Sequence, residues 1–431
     1  MIYITVAVLF LMLIISVIKE RNVYNPLTLF LALWLFVCFL ASLLLFNMNP
    51  YSDHAPLVIL IGVLGYCFGY GFGRKTRIKI RNQIPIIGFD DSKEYVIREN
   101  LLIVLLIIAL IVYVIMAISV VGLLAIGYSA STIRELYRDS GETAISGLAS
   151  SLIYGSKLLK QMDSYIAQPV VLASIPLMSI DIAEKGKITK VVALSIVTIG
   201  LSMFVNFGRN NIPMIILSVA CAFFIKRKQL SRKAKRRVKY AAFVMLIAAV
   251  VFFMYLTNAR SSGLNPDSLQ NIYAYFSIPV PLLDYWIDQV NAANAYSLGF
   301  SYISGFVANI MNVLARFNII IEPYKISELY NYNLVDHFIR VFPLYEYNAY
   351  VSIFFAFYLD FREFGVLVGS LLYGYIISGV YNKAKTSNVY LAFYLLLLQS
   401  ILWSIVRWDF VIVAYCFSFI LLRALYKKEN H

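Results

Sequence analysis

Apolar runs long enough, or nearly long enough, to cross a membrane recur along almost the whole chain. They fall at 2–18, 27–46, 57–73, 100–121, 166–183, 189–206, 211–225, 240–256, 363–381, 389–406 and 409–424. A helix needs about 20 apolar residues to cover the hydrocarbon core. Only helices and closed barrels satisfy their backbone there. The runs are continuous rather than alternating, which predicts helices. Hydrophobic residues make up 61% of the 431 and charged residues only 14%, more apolar surface than a soluble fold can hide. The expected fold class is therefore an all-α polytopic membrane protein of about eleven spans. Two further segments, 299–321 and 347–361, are apolar enough to enter the membrane; if both cross, the spans number thirteen.

Lys and Arg accumulate on the cytoplasmic side of membrane proteins. The runs Arg74–Arg81 and Lys226–Lys239, the pair Lys383 and Lys385, and the tail Arg423, Lys427 and Lys428 all fall on one side if the N-terminus is outside. That arrangement puts 26 of the 37 Lys and Arg inside and 11 outside, with acidic residues split 8 inside and 15 outside. The net charge of +14 thus reports topology and implies no nucleic-acid partner. The loop 226–239 could also meet acidic lipid. The expected organisation is a transmembrane bundle at 1–256 with an outer loop at 122–165. A long outer stretch with membrane-dipping helices follows at 257–362, then C-terminal spans at 363–431 and a cytoplasmic C-terminus.

The first run lacks a basic leader and a small-residue cleavage site before Lys19, so it reads as a retained helix. Cys38, Cys67, Cys221 and Cys416 all lie in the apolar runs, without metal-ligand spacing. Pro26 suits the first turn of a helix. Gly62, Gly65, Gly69, Gly71 and Gly73 crowd one run, and Gly365, Gly369 and Gly374 another; such spacing lets helices approach closely. Residues 133–139 suggest a short amphipathic helix whose Arg134 and Arg138 either hold an anionic headgroup or pair with nearby acids.

Candidate functional residues lie at span ends and in the outer stretch. Arg209, in the turn Asn206-Phe207-Gly208-Arg209, and Arg407, in Val406-Arg407-Trp408-Asp409, oppose the charge bias. Each is either functional or snorkelling, and Arg407 has Asp409 as a candidate partner. Arg260 stands where the eighth span ends, and Arg316 and Arg340 follow. Asp336-His337-Phe338-Ile339-Arg340 is the most catalytic-looking cluster. Tyr324, Tyr330, Tyr332, Tyr345, Tyr347 and Tyr350 either mark a membrane interface or stack on sugar rings.

The start Asn25-Pro26-Leu27-Thr28, the outer Gly208-Arg209 turn and the long second-half outer loop form one pattern with its closure. That closure is Asn348-Ala349-Tyr350, then Tyr358-Leu359-Asp360-Phe361, then Phe364-Gly365 with Gly369. The whole-chain layout resembles the Wzy-type O-antigen polymerases, which join oligosaccharide repeat units. Arg362 and Glu363 interrupt a more compact Asp-Phe-Gly, and Val351 stands where threonine is usual. The resemblance implies a GT-C-like helix bundle in the bacterial inner membrane with large periplasmic loops. Its reaction would be inverting transfer between undecaprenyl-diphosphate-linked donor and acceptor units, releasing undecaprenyl diphosphate. It allows a chain-length regulator protein as a further partner.

Negative charge growing on a diphosphate leaving group calls for fixed cationic donors, and arginine offers a fork. Arg209, Arg260, Arg316, Arg340 and Arg407 are the candidates. The outer loops contain no Asp-x-Asp and no His/Asp cluster at ligand spacing, so a metal-independent site without a cofactor is expected. His337 is the first choice of base, with Asp336, Glu346, Asp267 and Asp360 in reserve. Tyr332, Tyr345, Tyr347, Asn348 and Asp360 are the candidate sugar contacts. An O-antigen ligase shares this plan, and a lipid-linked sugar flippase is the reading from another class; transporters more often place charges at mid-span and show repeats.

Overall fold

The computed structural model describes residues 1–20, 24–79, 95–138, 152–208, 211–227, 236 and 268–428. In chain order the helices begin with α1 (Ile2–Glu20), α2 (Pro26–Ser42) and α3 (His54–Lys79), followed by strand β1 (Tyr95–Ile97). Then come α4 (Glu99–Ala125), α5 (Ala130–Arg138), α6 (Lys157–Lys185), α7 (Lys190–Asn206) and α8 (Asn211–Lys226). The outer stretch holds α9 (Ser268–Ser277), α10 (Pro279–Ala292), α11 (Phe300–Arg316), α12 (Glu322–Glu328), β2 (Ile339–Arg340) and β3 (Glu346–Tyr347). The chain closes with α13 (Ser352–Ala384), α14 (Asn388–Trp403), α15 (Val413–Leu425) and β4 (Tyr426–Lys428).

The protein is all-α, and ten of the eleven expected runs coincide with apolar helices. Helices α1, α6 and α4, most of α3 (His54–Arg74), and α13 are long and apolar enough to cross a membrane. Helices α2, α7, α8, α14 and α15 are apolar but shorter. The run at 240–256 lies outside the described residues. Outward faces are apolar: Ile4, Leu11 and Ile18 on α1, and Ile107, Ile111 and Ile118 on α4, are all exposed. Surfaces of this kind suit hydrocarbon rather than water.

The described residues form two compact units that interleave along the chain. The first draws on Met1–Asp91, Pro266–Lys383 and Leu397–Cys416, the second on Ser92–Asn265, Ala384–Leu396 and Phe417–His431.

In the first unit Asn25 caps α2 by accepting from the Thr28 N–H at 2.9 Å, and Pro26 opens the helix where its missing N–H costs nothing. Aromatic side chains fill the core: Phe30 stacks on Tyr66 at 4.0 Å and Trp34 tilts onto Phe354 at 4.7 Å. Helices α3 and α13 meet along a glycine seam. A Cβ on Gly65, Gly69 or Gly73 would lie 2.8, 1.9 or 2.8 Å from the carbonyl oxygen of Leu367, Leu371 or Tyr375. Contact advances in the same direction on both helices, so they run parallel and bring Arg74 and Lys383 to one end, His54 and Glu363 to the other. Only glycine permits this approach of two backbones. Gly71 faces open space instead.

Helix α13 breaks at Phe361 and Arg362, where φ/ψ are −148°/33° and 57°/−142°. The nine residues before the break are buried throughout and span about 14 Å, too short to cross the core. The break has a partner: Asp360, fully buried, accepts from the backbone N–H groups of Gly299 and Ser301 at 2.8 and 3.1 Å through Oδ1, and of Tyr302 at 3.1 Å through Oδ2. Those groups open α11, whose first turn would otherwise be unsatisfied. Helix α11 packs through Ser301, Ser304, Gly305 and Ala308 and turns Ile303, Phe306, Ile310 and Val313 outward.

In the second unit α4 packs on α7, and α6 packs on α7 and α8. Helix α6 carries a π-turn at Asp163–Ala167. There the buried Asp163 accepts from Tyr137, Tyr154 and Gln168 at 3.0, 3.1 and 2.9 Å. Strands β1 and β4 pair antiparallel, with Ile97 opposite Tyr426.

Candidate functional site

Four of the residues expected at the site come together around the turn between α14 and α15. The Arg407 guanidinium donates to Asp336 Oδ1 at 2.7 Å. Asn348 Nδ2 donates to the Asp336 carbonyl at 2.6 Å, and the Tyr332 hydroxyl to the Val411 carbonyl. The partner of Arg407 is thus Asp336, from the preceding loop, and not Asp409. The Asp409 carboxyl turns inward instead and is 3% exposed.

The remaining expected residues do not join that group. His337 is exposed, its backbone N–H donating to the Leu334 carbonyl at 2.9 Å. Arg340 and Glu346 face each other at 3.6 Å across the β2–β3 pair, both open to solvent. Arg316 is exposed on the last turn of α11, where a cation meets the partial negative charge of a helix end. Tyr345 is half-buried and exchanges backbone hydrogen bonds with Phe342. Tyr347 sets its ring edge against Phe342 at 5.6 Å, and burial pushes its phenol up to about 12. Asp360 has both oxygens occupied by the start of α11. Arg209, Arg260 and Asp267 lie outside the described residues.

A second cluster stands at the break in α13. The Arg362 guanidinium lies 3.9 Å from the ring centre of Tyr296 and 5.4 Å from that of Tyr358. Two aromatic faces at that range hold a cation electrostatically. Arg362 Nη2 makes a long contact, 3.4 Å, to the Val290 carbonyl, while Nη1 is buried with no partner among the described residues. The backbone of Arg362 sits at positive φ with ψ far from the left-handed helical well, a region almost reserved for glycine and costing roughly 1–3 kcal/mol. Strain and a buried orphan donor on the same residue make it a candidate ligand contact.

The neighbours of Arg362 carry chemistry as well. Tyr358 donates to Asn291 Oδ1 at 3.0 Å and meets the His54 ring edge-on at 5.7 Å. His54 Nε2 is 2.8 Å from Glu363 Oε1. The start of α3 that presents His54 is tied to α10: Asp284 accepts the Ser52 N–H at 2.7 Å, and the Ser52 hydroxyl accepts the His54 N–H at 3.1 Å. The sequence offered two signals for this cluster. His54 is one of only three histidines and stands at a span end, and Arg362-Glu363 is the charged insertion that breaks the Asp-Phe-Gly pattern.

The arrangement has a cationic fork whose Nη1 is unsatisfied among the described residues, suited to a phosphate oxygen. It also has an imidazole whose Nε2 is fixed on a carboxylate. Among the described residues no three His, Cys, Asp or Glu side chains approach closely enough to hold a metal ion. No protein family, curated protein or solved structure matches the chain.

Proposed function

We propose that this protein is a membrane glycosyltransferase of the O-antigen polymerase kind. It joins oligosaccharide units carried on undecaprenyl diphosphate at the periplasmic face of the bacterial inner membrane. The growing chain is the donor, a hydroxyl of the incoming unit attacks its first sugar carbon with inversion, and undecaprenyl diphosphate leaves. The observation that carries this reading is the Arg362 guanidinium, with its buried unpartnered Nη1, at the end of α3 and α13 opposite the basic residues Arg74 and Lys383. By the charge bias that end is the outer one. A lipid diphosphate anchored in the bilayer presents its charge at this depth, and the orphan donor strengthens its hold as charge grows in the transition state.

The test is the lipopolysaccharide ladder of a deletion strain complemented with variants. A single capped repeat in the deletion strain supports polymerase. Loss of all O-antigen points to a ligase or flippase and overturns the reading. Arg362→Ala, at matched membrane levels, loses about 100- to 1,000-fold in polymerisation rate, equivalent to roughly 3–4 kcal/mol. Arg362→Lys recovers part of it, keeping charge but losing the fork.

A further inference from the structure

We propose that His54 is the base that takes the proton of the acceptor hydroxyl, with Glu363 as its positioning residue; this rests on the glycosyl-transfer reading above. His54 donates through Nε2 to Glu363 Oε1 at 2.8 Å, which fixes the tautomer and leaves Nδ1 as the proton acceptor. Nδ1 has no partner among the described residues. The pair is neither sealed in the core nor free on the surface: the side chains are 31% and 43% exposed. A contact that open contributes little stability. Ser52 and Asp284 nevertheless pin the turn that carries His54.

The distance to the cationic fork suits one reaction. Tyr358 is shared: its ring centre is 5.7 Å from the His54 ring and 5.4 Å from the Arg362 carbon, so the two groups stand within about 11 Å of each other. Both groups thus border the same tyrosine, close enough to act on one donor–acceptor pair. In the step, the acceptor O–H bond breaks and its proton passes to Nδ1. The oxygen bonds to the donor's anomeric carbon. The bond from that carbon to the diphosphate oxygen breaks, and its electron pair leaves on the diphosphate beside Arg362. Glu363 then faces an imidazolium, which its carboxylate stabilises until the proton passes to water.

The experiment uses the full-length protein in nanodiscs and the single lipid-linked repeat unit extracted from a deletion strain. His54→Gln and His54→Ala are expected to lower kcat on the order of 100- to 10,000-fold, with KM for the lipid-linked unit and binding of undecaprenyl diphosphate unchanged. Added imidazole is expected to restore part of the His54→Ala rate, and the shape of the kcat–pH profile to differ from that of the wild type. Glu363→Gln gives a smaller loss that Glu363→Asp partly recovers. If either His54 variant keeps kcat within threefold, or if imidazole rescues nothing and the pH profile keeps its shape in the residual activity, the assignment of the base falls. If the wild type itself neither binds undecaprenyl diphosphate nor joins units, the transferase reading falls first.

Discussion

Asp336 and Arg407, 71 residues apart in sequence, form a half-buried ion pair of 2.7 Å. The pair ties the loop before α13 to the turn after α14, alongside backbone bonds from Val351 and Ser352 to the Val406 carbonyl at 2.9 and 3.0 Å. Removing either side chain breaks that tie. Asp336→Asn and Arg407→Gln are each expected to destabilise the protein, and the double variant by less than their sum. A coupling on the order of 1–2 kcal/mol is expected from thermal unfolding of the four proteins. Strict additivity would show that the pair is incidental.

The glycine seam makes a paired prediction. Gly69→Ala drives a Cβ into the Leu371 carbonyl, a backbone atom that cannot step aside, and should cost about 1–3 kcal/mol or more. Gly71→Ala, two residues along the same helix, meets nothing within 4 Å and should be neutral or up to about 1 kcal/mol more stable. Melting temperatures of the two variants in one detergent decide it; equal effects would mean that α3 and α13 do not pack as described.

Sidedness follows from the charge split. A membrane-impermeant thiol reagent on intact cells should label a cysteine at Asn333, in the exposed part of the outer stretch, and not one at Ala234, in the basic loop. The reverse pattern would invert the topology and with it the outer location proposed for Arg362.

Much of this architecture was readable because membrane helices advertise themselves in one dimension. The apolar runs, the Asn25-Pro26 helix start and the close approach at Gly65, Gly69 and Gly73 each depend on residues near one another in the chain. The glycine seam's partner helix was legible only as a second cluster of glycines. The site was harder to read. The segments 347–361 and 363–381 read as separate elements by hydropathy, and the helix is indeed divided between them, at Phe361 and Arg362. No proline marks that break; Gly365, just past it, lets the chain pass close to the Phe357 carbonyl, and Asp360 reaches across to the start of α11, a contact over some sixty residues. For the same reason Asp360 reads in sequence as a sugar contact, while its oxygens close a helix end. Arg407 has Asp409 as its candidate partner in the sequence because local spacing is all that a sequence offers. His54 and Glu363, separated by 309 positions, share no local pattern at all.

That separation also bears on how the protein is made. Helix α3 leaves the ribosome early, but the glycine face it presents has no partner until α13 has been translated some three hundred residues later. At about 5–20 residues per second, this is a wait of roughly 15 to 60 seconds in the membrane. During it, close-packing backbone is exposed to lipid and to any other small-residue helix nearby. Arg362 and Glu363 mark the end of that wait, so the cluster of His54, Glu363 and Arg362 forms only once the nascent chain has closed its seam. A truncated product ending before α13 would carry His54 into the membrane with nothing to receive it.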